Sequence, residues 1–182
     1  MNLRKKMRRS SLAALITLAL TSSALAMPTG GEVVRGGSDI TLSGGTWDAV
    51  ANNATITATN DGQINWQAFN IANGETLTFN IASNKTLVNN VTGSQLSDIL
   101  GTMNQTGGGD LVLVNPNGIH IGGTASFDVS NLTLSTLNVA SEDFLSYVTA
   151  AKPYLPSQQD AVKGAKAITV DQGAHFNVVN SL

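Results

Sequence analysis

Residues Leu111–Val129 read LVLVNPNGIHIGGTASFDV, and they alternate between strand and turn signals several times over. LVLV is a short apolar run, as a strand should be. Asn115 precedes proline and is held extended, Pro116 presets the first turn position, Asn117 tolerates the second, and Gly118 can take a positive φ. Ile119 and Ile121 then re-enter a strand that turns His120 the other way. In ASFDV the same alternation puts Ala125, Phe127 and Val129 on one inward face. Taken alone, NPNG is a sound structural turn. Whether it is also an address that another protein reads depends on the rest of the chain.

Outward from this stretch the pattern recurs. TLTFNI sets Leu77, Phe79 and Ile81 against Thr76, Thr78 and Asn80. DITLSG, ATITAT, LTLSTLNV, AITV and HFNVV are further candidate strands, bounded by Gly and Asn. Charged residues are only 12% of the chain, which disfavours a long-helix protein. A triplet also repeats, as Phe69-Asn70-Ile71, Phe79-Asn80-Ile81, Phe127-Asp128-Val129 and Phe176-Asn177-Val178. Phe79 and Phe127 are 48 positions apart, and Phe127 and Phe176 are 49 apart. Two rungs of roughly 20–25 residues would give either spacing, with phenylalanines layered inside a stacked-strand solenoid.

Two segments break the strand pattern. Thr92–Gln105 places Leu96, Ile99, Leu100 and Met103 at helical spacing, with Ser94 as N-cap and the glycines 107–109 as terminator. Ser141–Ala165 opens on Ser141 and an acidic first turn, and is interrupted by Pro153 and Pro156. Both are expected to be helical excursions, capping the strand stack or lying on its side. The chain stops at FNVVNSL with no polar cap, so it is expected either to lead into further rungs of a longer protein or to be a truncated copy that once did.

The first residues belong to a different argument. Arg4, Lys5, Lys6, Arg8 and Arg9 precede the apolar segment LAALITLALTSSALA, which ends in Ala24-Leu25-Ala26. This is the form of a secretory signal peptide over residues 1–26, cleaved after Ala26. The ten Lys and Arg less those five, set against twelve Asp and Glu, leave residues 27–182 a net charge of −7. The basic residues that remain (Arg35, Lys85, Lys152, Lys163, Lys166) are scattered, which argues against a nucleic-acid partner. There are no cysteines, so the fold depends on packing and hydrogen bonds, a composition compatible with later passage through another membrane unfolded.

Catalytic chemistry finds little footing. The two histidines, His120 and His175, both fall in outward strand phase. No nucleophile elbow, metal-ligand cluster or phosphate loop is present, so no cofactor and no catalytic residue is expected. The surviving enzymatic alternative is a carbohydrate-cleaving or carbohydrate-binding β-helix, with Asp110 and Asp128 as an outward carboxylate pair.

Three segments agree in order and spacing with one family. INWQAFNIANGETLTFN (Ile64–Asn80), VTGSQLSDILGTMNQTGG (Val91–Gly108) and LVLVNPNGIHIGGTASFDVSNLTLSTLNV (Leu111–Val139) resemble the secretion domain of two-partner secretion exoproteins, the filamentous-haemagglutinin type. The later AITVDQGAHFNVV resembles the strand pair that follows the family's excursion. The resemblance implies an all-β, right-handed parallel β-helix with an N-terminal cap. It further implies recognition in the periplasm by the POTRA domains of a dedicated Omp85-type (TpsB) outer-membrane transporter, after export by the Sec machinery and signal peptidase. A long adhesin, haemolysin or contact-dependent toxin would follow as cargo, with any host-surface ligands bound by those downstream regions. The family's secretion motif maps onto Asn115, Pro116, Asn117, Gly118 and Ile119. Its second motif, Asn-Pro-Asn-Leu, has no counterpart here.

Overall fold

The computed structural model describes residues 27–136 and 166–179. They form fourteen β-strands and one short 3-10 turn, Gly37–Asp39. The strands are β1 (Glu32–Arg35), β2 (Ile40–Thr46), β3 (Ala49–Ala58), β4 (Gly62–Trp66), β5 (Thr76–Ile81), β6 (Thr86–Val91) and β7 (Ser97–Ile99). They continue as β8 (Thr102–Thr106), β9 (Asp110–Val114), β10 (Ile119–Ile121), β11 (Ser126–Val129), β12 (Asn131–Ser135), β13 (Ile168–Val170) and β14 (His175–Val178).

Three sheets enclose the core, in the orders β1-β4-β6-β9-β12, β13-β10-β7 and β14-β11-β8-β5-β3-β2. Successive strands visit the faces in rotation, so β6, β7 and β8 make one rung and β9, β10 and β11 the next. Pairing between rungs is parallel throughout. This is the expected parallel β-helix. Met103 faces Leu77 on one side and Phe127 on the other, 26 and 24 residues away, so the rung length inferred from the triplets is close.

Stacking places like above like along the inner columns. One runs Ile71, Ile99, Ile121, Val170, and another runs Ala54, Leu77, Met103, Phe127, Phe176. Phe127 and Phe176 stack nearly parallel at 4.7 Å and 7°. Phe79 departs from the layered reading: its register partner is Gln105, one inward position away from the Phe127 column. The two similar triplet spacings therefore arise differently. Phe79 to Phe127 crosses two rungs, whereas Phe127 to Phe176 are on adjacent rungs with residues 137–165 between them in sequence.

The proposed helix over Thr92–Gln105 is corrected by the structure, which has β7, a corner at Leu100-Gly101, and β8 there. Ile99 and Met103 both point inward, but from two different faces, and Leu96 is exposed. A strand, a tight corner and a second strand thus imitate helical periodicity. The parallel ladders to β10, β5 and β11 satisfy backbone groups that a local helix would otherwise pair. The second expected excursion, Ser141–Ala165, lies outside the described residues.

The N-terminal cap is present. β1 pairs antiparallel with β4, and β2 antiparallel with β3, ending the parallel stacking in both sheets. Trp66 fills the cap interior, edge-on to Phe69 at 5.9 Å and tilted against Trp47 at 5.9 Å. Its indole N–H donates to the buried Asn89 Oδ1 at 3.0 Å, so the one polar edge of the ring is satisfied. At the other end, Ile168, Val170, Phe176, Val178 and Val179 remain exposed on and beside the edge strands β13 and β14.

Candidate functional site: the Asn115–Ile119 corner

β9 ends at Val114 and β10 begins at Ile119, so the NPNG residues form the corner between two faces of one rung. Gly118 N–H donates to Asn115 C=O at 3.1 Å, closing the turn, and Gly118 has φ +113°. Asn117 N–H donates to Asn115 Oδ1 at 2.9 Å, the side-chain mimic of a turn that asparagine makes readily.

The corner is held from both neighbouring rungs. Asn115 is fully buried, and its side-chain amide donates to Gln95 C=O at 2.9 Å and to Ser97 Oγ at 3.0 Å. Asn117 Nδ2 donates to Gly93 C=O at 2.8 Å and to Asn115 Oδ1 at 3.1 Å. Toward the following rung, Asn115 N–H donates to Ser135 C=O at 2.9 Å and Ile119 N–H to Ala167 C=O at 3.2 Å. Both amide hydrogens of Asn115 are thus used inside the protein. A partner has access only to the outside of the corner, where Pro116 and Asn117 are half-buried.

Beside this corner the outer surface of β10 carries a charged ladder that the sequence did not reveal. His120 Nδ1 lies 2.7 Å from Asp98 Oδ1 on β7, and Nε2 lies 3.1 Å from Asp171 Oδ2 just after β13. The hydrogen bond that the His120 ring donates to the Asp98 carboxylate raises its pKa above the ordinary value, burial opposes the rise, and Asp171 adds to it. The signal that could have found it is the match of Ser97-Asp98-Ile99 with Ile119-His120-Ile121, residue for residue. Expecting a helix over Asp98 concealed that register. A cleft of about 270 Å³ lies next to the ladder, bordered by Leu96, Asn117, His120, Lys166 and Thr169.

The alternative carboxylate pair is not assembled. Asp110 starts β9 and accepts from Thr86 Oγ1 at 3.4 Å, whereas Asp128 lies on β11 in a different sheet and accepts from Asn177 Nδ2 at 2.9 Å. Among the described residues, no group of three or more His, Cys, Asp or Glu could hold a metal ion. His175 is exposed on β14, in the outward phase expected of it.

Comparisons with known proteins agree with this architecture. The chain is similar to the secretion domain of HMW1 from Haemophilus influenzae, with a TM-score of 0.60 and 27% identity over 81% of its length. It spans 35% of that longer chain. No curated protein matches the sequence. The family described as the TPS secretion domain matches residues 24–181, nearly the whole chain. The chain belongs to the TPS secretion domain family, whose members are targeting domains of two-partner secretion.

Proposed function

We propose that this domain is the transport address of a larger exoprotein. Residues 1–26 direct it through the Sec machinery and are removed after Ala26 by signal peptidase. In the periplasm of a diderm bacterium, the POTRA domains of an Omp85-type TpsB transporter recognise the domain and begin export of the adhesin, haemolysin or toxin that continues beyond Leu182. The product is released or held at the cell surface, where its downstream regions meet any host ligand. The observation that carries this reading is the agreement of the family over residues 24–181 with a capped, three-faced parallel β-helix.

Within that function the motif serves two purposes. Asn115 and Gly118 build the corner, while Pro116, Asn117 and the exposed Leu96 present its outer surface to the transporter. Binding of the processed chain to immobilised POTRA domains of the cognate transporter tests this. Leu96→Asp should weaken binding several-fold with no change in melting temperature. Wild-type protein that fails to bind, or a Leu96→Asp variant that binds equally, contradicts the respective half of the reading.

A further inference from the structure

The cap contains a buried carboxylate in an unusual setting. Glu75 precedes β5 and is 6% exposed, and Met27, 48 residues earlier, is 2% exposed and packed in the hydrophobic core. The backbone nitrogen of Met27 donates to Glu75 Oε2 at 3.0 Å, and that same oxygen accepts Ala72 N–H at 2.8 Å. The main chain of Glu75 is fixed as well, its N–H donating to Ala72 C=O at 3.0 Å and its C=O accepting Thr102 N–H at 2.8 Å. A carboxylate held this far from water calls for a cationic partner.

Met27 is also strained, with φ +32°, a conformation that L residues rarely adopt. The peptide bond before it, Ala26–Met27, is the one the leader's Ala24-Leu25-Ala26 ending marks for cleavage.

We infer that removal of the leader completes a latch in the cap, in which the newly formed α-ammonium of Met27 pairs with Glu75. The inference rests on the reading of residues 1–26 as a signal peptide cleaved after Ala26. Hydrolysis adds one water across the Ala26–Met27 bond. Ala26 keeps the carboxylate, and the amine left on Met27 takes up a proton at neutral pH, since a free α-amino group titrates near 7.7–8.0. An amide with one hydrogen and no charge becomes a cation with three, already aimed at the carboxylate. With no residue before it, the processed Met27 has no φ left to be strained. The folded cap is therefore more stable in the processed chain than in the precursor, which favours folding after release from the inner membrane.

The test uses the chain exported and processed in cells, with its N-terminus read by intact mass. One glycine inserted between Ala26 and Met27 moves the ammonium one residue from Glu75, and both forms are melted with and without Glu75→Gln. The expected wild-type mass begins at Met27. The insertion should lower Tm by about 2–4 °C, and the Glu75→Gln background should abolish that difference. An insertion that leaves Tm unchanged, or lowers it equally in both backgrounds, overturns the latch. A mass beginning elsewhere overturns the cleavage reading beneath it, independently of the melting data. Should Glu75→Gln not fold, α-amine-selective acetylation of the native chain takes its place: it must lower Tm, and equal melting overturns the latch.

Discussion

The side-chain amide of Asn115 donates to Ser97 Oγ at 3.0 Å, and neither residue is exposed to solvent. This bond joins the motif to the preceding rung. Replacing Asn115 with alanine would orphan the buried Ser97 Oγ, take the amide donor from the C=O of the exposed Gln95 and remove the acceptor for Asn117 N–H. A loss of about 2–3 kcal/mol in chemical denaturation is expected, because buried polar groups left unpaired cost about 1–3 kcal/mol each. A loss under about 0.5 kcal/mol would show that the corner does not depend on this side chain.

Gly118 tests the corner through the backbone alone. Its φ of +113° is inaccessible to most side chains, and an added Cβ would also lie 3.2 Å from Ala167 C=O. Gly118→Ala is expected to destabilise by about 1–3 kcal/mol. Unchanged denaturation would mean that the turn adopts another geometry without strain.

Phe127 is fully buried and stacked on Phe176, which is 39% exposed. Phe127→Ala should cost about 3–5 kcal/mol. Phe176→Ala should cost less, and the double variant should fall short of the sum of the two, since the rings share one contact. Strict additivity would refute the stacked column.

His120 makes the last rung sensitive to pH. Its folded pKa is raised by the hydrogen bond to Asp98, opposed by burial and raised further by Asp171, and Lys166 borders the same cleft. The stabilisation is complete below the unfolded value of about 6.5 and is lost as pH rises through the higher folded value. After correction for intrinsic exchange rates, amides of β13 should be better protected near pH 6 than near pH 8, about 1.5 units above the unfolded value. His120→Gln should remove the difference. Equal protection in the wild type would contradict the ladder.

The fold was readable where one strand carries its own alternation. Leu77, Phe79 and Ile81, and likewise Ala125, Phe127 and Val129, face inward as their spacing required. Reading failed where the structure is set by neighbours distant in sequence. Leu96, Ile99, Leu100 and Met103 fit a helix locally, yet Ile99 is placed by Ile71 and Ile121, and Met103 by Leu77 and Phe127. The same limitation hid the ion ladder, because the distance between Asp98 and His120 becomes short only after the rungs are aligned. At the motif, the turn itself was legible in Pro116 and Gly118, whereas the burial of Asn115 was not: its partners Gln95 and Ser97 lie on the segment misread as a helix.

The central claim is that this domain is an export address read by an outer-membrane transporter. The most direct measurement is the amount of the chain released into the medium by otherwise identical cells with and without the cognate transporter gene. The account predicts release only when the transporter is present, with the folded, leader-free chain or its breakdown products confined to the periplasm when it is absent. Equal release in both strains would contradict it.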